Sequence, residues 1–207
     1  MSNSFSDFKF LGLCYNVPII KEVIHKKILG KENFMPAINY FRQALKGMHQ
    51  DFLEAVKDLT DEQLHFRPLG KCNHIAFSLW HLARTEDMVI NFLVQKKNPV
   101  WNAEGWDKKL GMDPRTQGTG MSEQEAAAVK INNLQEFLGY VQSTFKATES
   151  WLETIKDEDL DQVNDLPVLG KRSLYEVIGG TALTHAAEHL GEIWLLKGLQ
   201  GLKGCPM

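Results

Sequence analysis

Two histidines four residues apart, His185 and His189, have the residue type and spacing of a metal-binding pair in this 207-residue chain. Side chains four residues apart on a helix project from the same face, one turn above the other. At about 100° per residue, three apolar residues fall within about 20° of His185 and place it on the buried face: Leu174, Ile178 and Leu196. Buried imidazoles need partners. A divalent metal ion would satisfy both rings, and hydrogen bonds to hydroxyl or carbonyl groups in the core are the alternative.

A useful metal site needs a third ligand, and another helical segment offers His74 and His81. His81 lies in the middle of that segment beside its apolar stripe, whereas His74 lies in the first turn, where we expect it to be exposed. We therefore predict that His81, His185 and His189 bind one divalent ion and leave coordination positions open, as catalytic sites do. The other histidines are predicted not to be ligands: His25, His49, His65 and His74.

Four helical segments must position these histidines. Apolar residues recur three or four positions apart in four stretches: from Pro36 to Leu59, over 73–97, from Ser122 to Ile155, and from Ser173 to about Gly198. We number these helices one to four and expect the third to be the longest. No segment shows the sustained apolar/polar alternation of a strand. The pattern predicts an all-α fold, an up-down-up-down four-helix bundle.

The predicted bundle spans residues 36–207, with residues 1–35 as an N-terminal arm packed on it. A loop over residues 98–120 joins the second and third helices, and loops of this length are usually functional. Its Trp101 and Trp106 either wall the mouth of the metal site or anchor the loop. His81 would lie about 12 Å along its helix and His185 about 18 Å along the fourth, so these two parallel helices must start at different heights or cross.

The composition is that of an ordinary globular protein, with 43% hydrophobic and 24% charged residues. The net charge of -3 gives no positive field for nucleic acid. Three cysteines without a C-x-x-C pair indicate neither a zinc ribbon nor a redox dithiol: Cys14, Cys72 and Cys205. No secretory signal or long apolar stretch is present, so we expect a cytoplasmic protein without membrane contact. The oligomeric state, a homodimer included, stays open.

Two segments resemble the DinB/YfiT-like superfamily of metal-dependent proteins. They are residues 80–87, Trp-His-Leu-Ala-Arg-Thr-Glu-Asp, and residues 185–192, in which the histidine pair is followed by Leu-Gly-Glu. The resemblance extends over about residues 36–200. It implies a four-helix bundle that binds a divalent ion, most often nickel or zinc, through His81, His185 and His189.

The resemblance also implies an activity, because the superfamily includes S-transferases that use bacillithiol or mycothiol. A metal-bound thiol loses its proton readily and becomes a nucleophile at neutral pH. We therefore expect a metal-dependent thiol S-transferase that acts on a small-molecule thiol and an electrophile. Two alternatives stay open: a metal-dependent hydrolase, in which the ion activates water, and a non-catalytic, stress-linked metal-binding module.

Three carboxylates near the motifs need an interpretation. With Glu188, residues 185–189 also match the H-x-x-E-H pattern of inverzincin peptidases, but that mechanism needs a carboxylate ligand well downstream and only residues 190–207 follow. Glu192, about 20° from His185, is expected to accept an imidazole N–H, to approach the metal, or to lie on the surface. Glu86, on the apolar side of the second helix, needs a partner such as Arg84 or another helix.

Overall fold

The computed structural model describes residues 35–167 and 169–205, and the structural statements below refer to these residues. The arm predicted over residues 1–35 lies outside this part of the chain apart from Met35, so it stays a prediction. His25 and Cys14 also lie outside the described residues.

Four long helices form the body of the described chain, and the prediction of an all-α fold is confirmed. They are Ala37–Val56, Ile75–Glu86 continued by Asp87–Val94, Leu134–Leu152, and Leu174–Glu176 continued by Val177–Thr184 and His185–Leu199. Within the two described ranges, no helix has the length and apolar character needed to cross a membrane. Shorter helical segments lie in the connections between the four long helices: Asp61–Leu64, Pro68–Gly70, Val100–Ala103, Trp106–Leu110, Glu123–Ala128 and Asp157–Asp159.

The third helix begins later than predicted. Ser122 starts a separate short helix, Glu123–Ala128, through a capping box with Glu125. The chain then leaves helical geometry, and the side chain of Asn133 accepts a hydrogen bond from the backbone of Glu136 to cap a new helix. The prediction that the third helix is the longest is therefore wrong, because the fourth runs without a break from Leu174 to Leu199.

Two of the long helices contain a widened, π-helical segment. In the second helix it is Asp87–Val94, directly after the turns that carry His81. In the fourth helix it is Val177–Thr184, directly before His185, and there the Thr184 hydroxyl donates to the carbonyl of Gly179 at 2.8 Å. Backbone bonds in such segments span five residues, and they occur frequently at functional sites.

A short antiparallel hairpin precedes the fourth helix and corrects the expectation that the chain has no strand. Its strands are Val163–Leu166 and Gly170–Ser173, paired so that Val163 faces Ser173. Four residues, most of them exposed, are too few to show the alternation of a half-buried strand. Ser173 ends the hairpin and caps the fourth helix through a capping box with Glu176.

The second and fourth helices pack directly against each other at the centre of the bundle. Leu79 of the second helix and Ala186, Leu190 and Ile193 of the fourth are buried in one core cluster. Phe52, from the first helix, belongs to the same cluster. This packing fixes the faces that carry His81 and the His185–His189 pair.

Candidate metal centre

The structure brings the three predicted ligands together. One nitrogen from each of His81, His185 and His189 lies within 4.8 Å of the other two. The ring centroid of His81 lies 5.1 Å from that of His185 and 5.2 Å from that of His189. No other group of three potential ligands converges in this way in the described part of the chain. The unequal positions of the histidines along their helices therefore do not keep the rings apart.

Hydrogen bonds determine which ring nitrogen of His81 and of His189 is available to a metal ion. His189 donates from Nδ1 to a carboxylate oxygen of Glu192 at 2.7 Å, and His81 donates from Nδ1 to the backbone carbonyl of Gln117. Both partners only accept, so each ring carries its proton on Nδ1 and leaves Nε2 as the nitrogen that can bind a metal ion. Nε2 of His189 lies 3.0 Å from Nε2 of His185.

The donor set fits a divalent metal ion. The Nδ1 atom of His185 is buried without a hydrogen-bond partner among the described residues, so this ring has no other polar contact than the one between the two Nε2 atoms. Burial, reinforced by His189 and His81, lowers the pKa of His185 to about 4. Burial also lowers the pKa of His81. Both imidazoles are therefore neutral at pH 7, which is the form that binds metals.

Glu192 holds His189 in place. The carboxylate oxygen that accepts from His189 also accepts from the buried hydroxyl of Ser78 on the second helix, at 2.9 Å. Burial raises the pKa of Glu192, but the hydrogen bonds from His189 and Ser78 outweigh it and leave the pKa below its usual value. Of the three expectations for Glu192, the structure supports the imidazole acceptor. Such outer partners fix the tautomer and orientation of a ligating histidine.

Replacing Glu192 with alanine is expected to weaken metal binding. The change removes the acceptor that keeps the proton of His189 on Nδ1, and loss of such a partner typically lowers metal affinity about 10–100-fold. The affinity for Zn²⁺ can be measured by competition with a chromophoric chelator. Glu188→Ala is the matched control, because Glu188 is exposed on the same helix. Equal affinities of the two variants would contradict this role for Glu192.

The long loop between the second and third helices contributes backbone to the site. Gly118 packs directly on His81: a Cβ at this position would lie 2.8 Å from Nδ1 of His81, and the φ of +98° is one that L side chains rarely adopt. Arg84 holds the loop, donating to the carbonyls of Thr116 at 3.1 Å and Pro114 at 3.2 Å. These two bonds position the loop so that the carbonyl of Gln117 accepts from Nδ1 of His81.

A family model described as the DinB superfamily matches residues 44–193. The chain belongs to the DinB superfamily. The match includes all three histidines, and the membership predicted from their motifs is confirmed.

The fold of this DinB-superfamily protein also occurs in a solved structure, that of a conserved protein from Enterococcus faecalis. The two chains align with a TM-score of 0.65 and 23% identity, over 80% of this chain and 99% of the other. At that identity the likeness shows the fold alone. A comparison with curated proteins found no significant match.

The two loop tryptophans of the DinB chain are anchors. Trp101 is fully buried, packs edge-to-face on Tyr140 at 4.7 Å between centroids, and has the guanidinium of Arg84 over its ring at 4.6 Å. Trp106 packs against Tyr140 of the third helix with 6.2 Å between ring centroids, and its indole N–H donates to Glu104 at 2.8 Å. Neither tryptophan lines the cavity of about 600 Å³ that is bordered by Thr85 and Gln117. Of the two roles considered, the structure therefore supports anchoring.

Two further histidines have structural roles in this DinB bundle. His74 is buried, so the expectation of exposure is wrong. Its Nδ1 accepts from the backbone N–H of Phe77 at 2.9 Å and caps the helix that carries His81. The Nε2 of His65 accepts from the backbone N–H of Ile131 at 3.2 Å. Neither ring belongs to the converging group.

Glu86 finds its partner on another helix. Its carboxylate lies 3.2 Å from Nε2 of His49 on the first helix, and the opposite nitrogen of His49 donates to Glu149 at 2.8 Å. The imidazole stacks on Phe145 with 3.8 Å between ring centroids. Burial lowers the pKa of His49, but the two carboxylates outweigh it and raise the pKa to about 9. This cluster is a buried ion pair apart from the candidate metal centre.

Proposed function

We propose that this DinB-superfamily protein is a metal-dependent thiol S-transferase that binds nickel or zinc through His81, His185 and His189. The observation that carries the proposal is the convergence of three imidazole nitrogens from two packed helices. A metal with three protein ligands keeps a coordination position for a substrate. A small-molecule thiol and an electrophile are the proposed substrates, and the cytoplasm is the location expected from the sequence.

The chemistry follows from that arrangement. A divalent ion held by the three rings would lower the pKa of a thiol bound to it and supply a thiolate at neutral pH. In the transfer, the sulfur forms a bond to the electrophilic carbon, and the leaving group departs from that carbon with the bonding electron pair. The thiol proton passes to solvent. Glu192 and the carbonyl of Gln117 accept from Nδ1 of His189 and of His81, which leaves Nε2 as the nitrogen of each ring that would bind the ion.

Product analysis tests this function. The protein loaded with Zn²⁺ or Ni²⁺ is incubated with bacillithiol or mycothiol and a panel of electrophiles, and products are identified by mass spectrometry. We expect a conjugate whose mass equals thiol plus electrophile minus the leaving acid. Its rate of formation should fall by more than about 100-fold in His81→Ala, beyond the loss caused by removing an outer partner.

The alternatives give different outcomes in the same experiment. Consumption of an electrophile or ester without any thiol would favour a metal-dependent hydrolase. A loaded protein that binds its ion and converts no substrate would favour a non-catalytic module. Glu188→Ala should react at the wild-type rate, because this residue is exposed and outside the converging group.

A further inference from the structure

A cavity of about 600 Å³ adjoins the candidate metal centre. Thr85, one turn after His81, lines it, and its hydroxyl oxygen lies 3.5 Å from Nδ1 of that histidine. Gln117, whose carbonyl accepts from the same nitrogen, also lines the cavity. Thr181, one turn before His185, belongs to the lining as well. A molecule in this cavity therefore lies within one helical turn of His81 and of His185, on the side of His81 that carries Nδ1.

Both π-helical segments contribute to the cavity wall. Met88, Val89 and Leu93 come from the widened part of the second helix, and Thr181 comes from that of the fourth. Widened turns displace side chains from the regular helical positions. One segment follows His81 in sequence and the other precedes His185. The widened backbone of both helices therefore shapes the cavity wall.

The chemistry of the wall is mainly apolar. Besides the three side chains of the second helix, Met121 and Leu169 line the cavity, and four of the polar residues in the lining are threonines. Arg115 is the one charged residue of the described lining, and its side chain is 88% exposed with Asp113 at 4.0 Å. The volume falls within the range of pockets that bind small organic molecules.

We infer that this cavity binds the apolar body of the electrophile, so that the substrate is an organic molecule with an alkyl or aryl portion. The inference rests on the proposed function. Transfer of apolar surface from water to such a wall is favourable, whereas a low-molecular-weight thiol rich in hydroxyl and carboxylate groups would gain little from it. The thiol therefore approaches the histidines while the apolar part of the electrophile lies against Met88 and Leu169.

Binding of unreactive 1-alkanols to the zinc-loaded protein tests the inference without any reaction. Isothermal titration calorimetry with 1-butanol, 1-hexanol and 1-octanol should show affinity rising about fourfold for each added methylene. Leu169→Asp places a carboxylate in the wall and should weaken 1-octanol binding by more than about tenfold. Leu199→Asp is the matched control, because Leu199 is 57% exposed and does not line the cavity.

Met88→Trp is the second variant, which fills the cavity without adding charge and keeps the test valid if Leu169→Asp unfolds. It should weaken binding of 1-octanol more than that of 1-butanol. Affinity that does not depend on chain length, or wild-type binding by a folded Leu169→Asp, would overturn the inference and leave metal binding and conjugate formation untouched. Length-dependent binding in a protein that forms no thiol conjugate would support an apolar ligand site and overturn the proposed reaction.

Discussion

Replacing His81, His185 or His189 singly with alanine is expected to abolish stoichiometric binding of a divalent metal ion. Each residue supplies one of three nitrogens that lie within 4.8 Å of one another, and a site left with two imidazoles lacks the three protein ligands typical of catalytic zinc. We expect the affinity for Zn²⁺ or Ni²⁺ to fall by more than about 100-fold, exceeding the loss of an outer partner. Elemental analysis after dialysis against metal-free buffer measures the effect.

His74→Asn is the matched control for the three alanine variants. His74 is buried near the start of the same helix as His81 and caps that helix through Nδ1. Asparagine is a favoured residue at helix N-caps, so the variant removes an imidazole and preserves the helix start. It should retain one ion per chain. A folded His81→Ala that also retained one ion would contradict the assignment of the second-helix ligand.

Replacing His49 with alanine is expected to destabilise the protein by about 3–5 kcal/mol, the range for removing one partner of a buried ion pair. The change leaves the carboxylate of Glu86 buried without its partner and removes the ring that stacks on Phe145. For a chain of this size the melting temperature should fall by about 6–20 °C. Denaturant unfolding of the metal-free protein measures the free energy of unfolding.

The double variant His49→Leu with Glu86→Met is the control, because replacing both buried charges with apolar side chains is often close to neutral. If the pair matters as argued, the double variant is more stable than His49→Ala. Equal loss in the two variants would show that packing rather than the unpaired carboxylate carries the effect.

The contribution of His49 should also depend on pH. Its pKa is raised from 6.5 to about 9 in the folded protein, so the folded state holds this proton more tightly than the unfolded state. The stabilisation is therefore fully present below about pH 6.5 and is lost as the pH rises through about 9, by an amount on the order of 3 kcal/mol. The difference in unfolding free energy between wild type and His49→Ala should shrink over this range.

The convergence of the three histidines could be anticipated because its signals are local. The i, i+4 spacing of His185 and His189 sets them on one face whatever the tertiary packing, and the apolar stripe of each helix shows which face is buried. His81 was favoured over His74 by its place beside the apolar stripe of the second helix, and the family resemblance points to the same residue. Ser122 and Ser173 were likewise expected to begin helical stretches, and each caps a helix.

Other features depend on packing or backbone and leave little trace in residue type. The acceptor for His81 is the carbonyl of Gln117, an atom that every residue possesses. The π-helical segments keep an apolar character that periodicity does not distinguish from an α-helix. The pairing of His49 with Glu86 requires knowing which helices are neighbours. The start of the third helix is different, because Asn133 offered an N-cap signal in the sequence.

X-ray absorption at the zinc edge of the loaded wild-type protein tests the central claim most directly. The account predicts one ion per chain with three imidazole nitrogens at about 2.0–2.1 Å. Any residual zinc bound by His81→Ala should show the scattering of one imidazole fewer. A spectrum with sulfur ligands, or with no imidazole scattering, would contradict it.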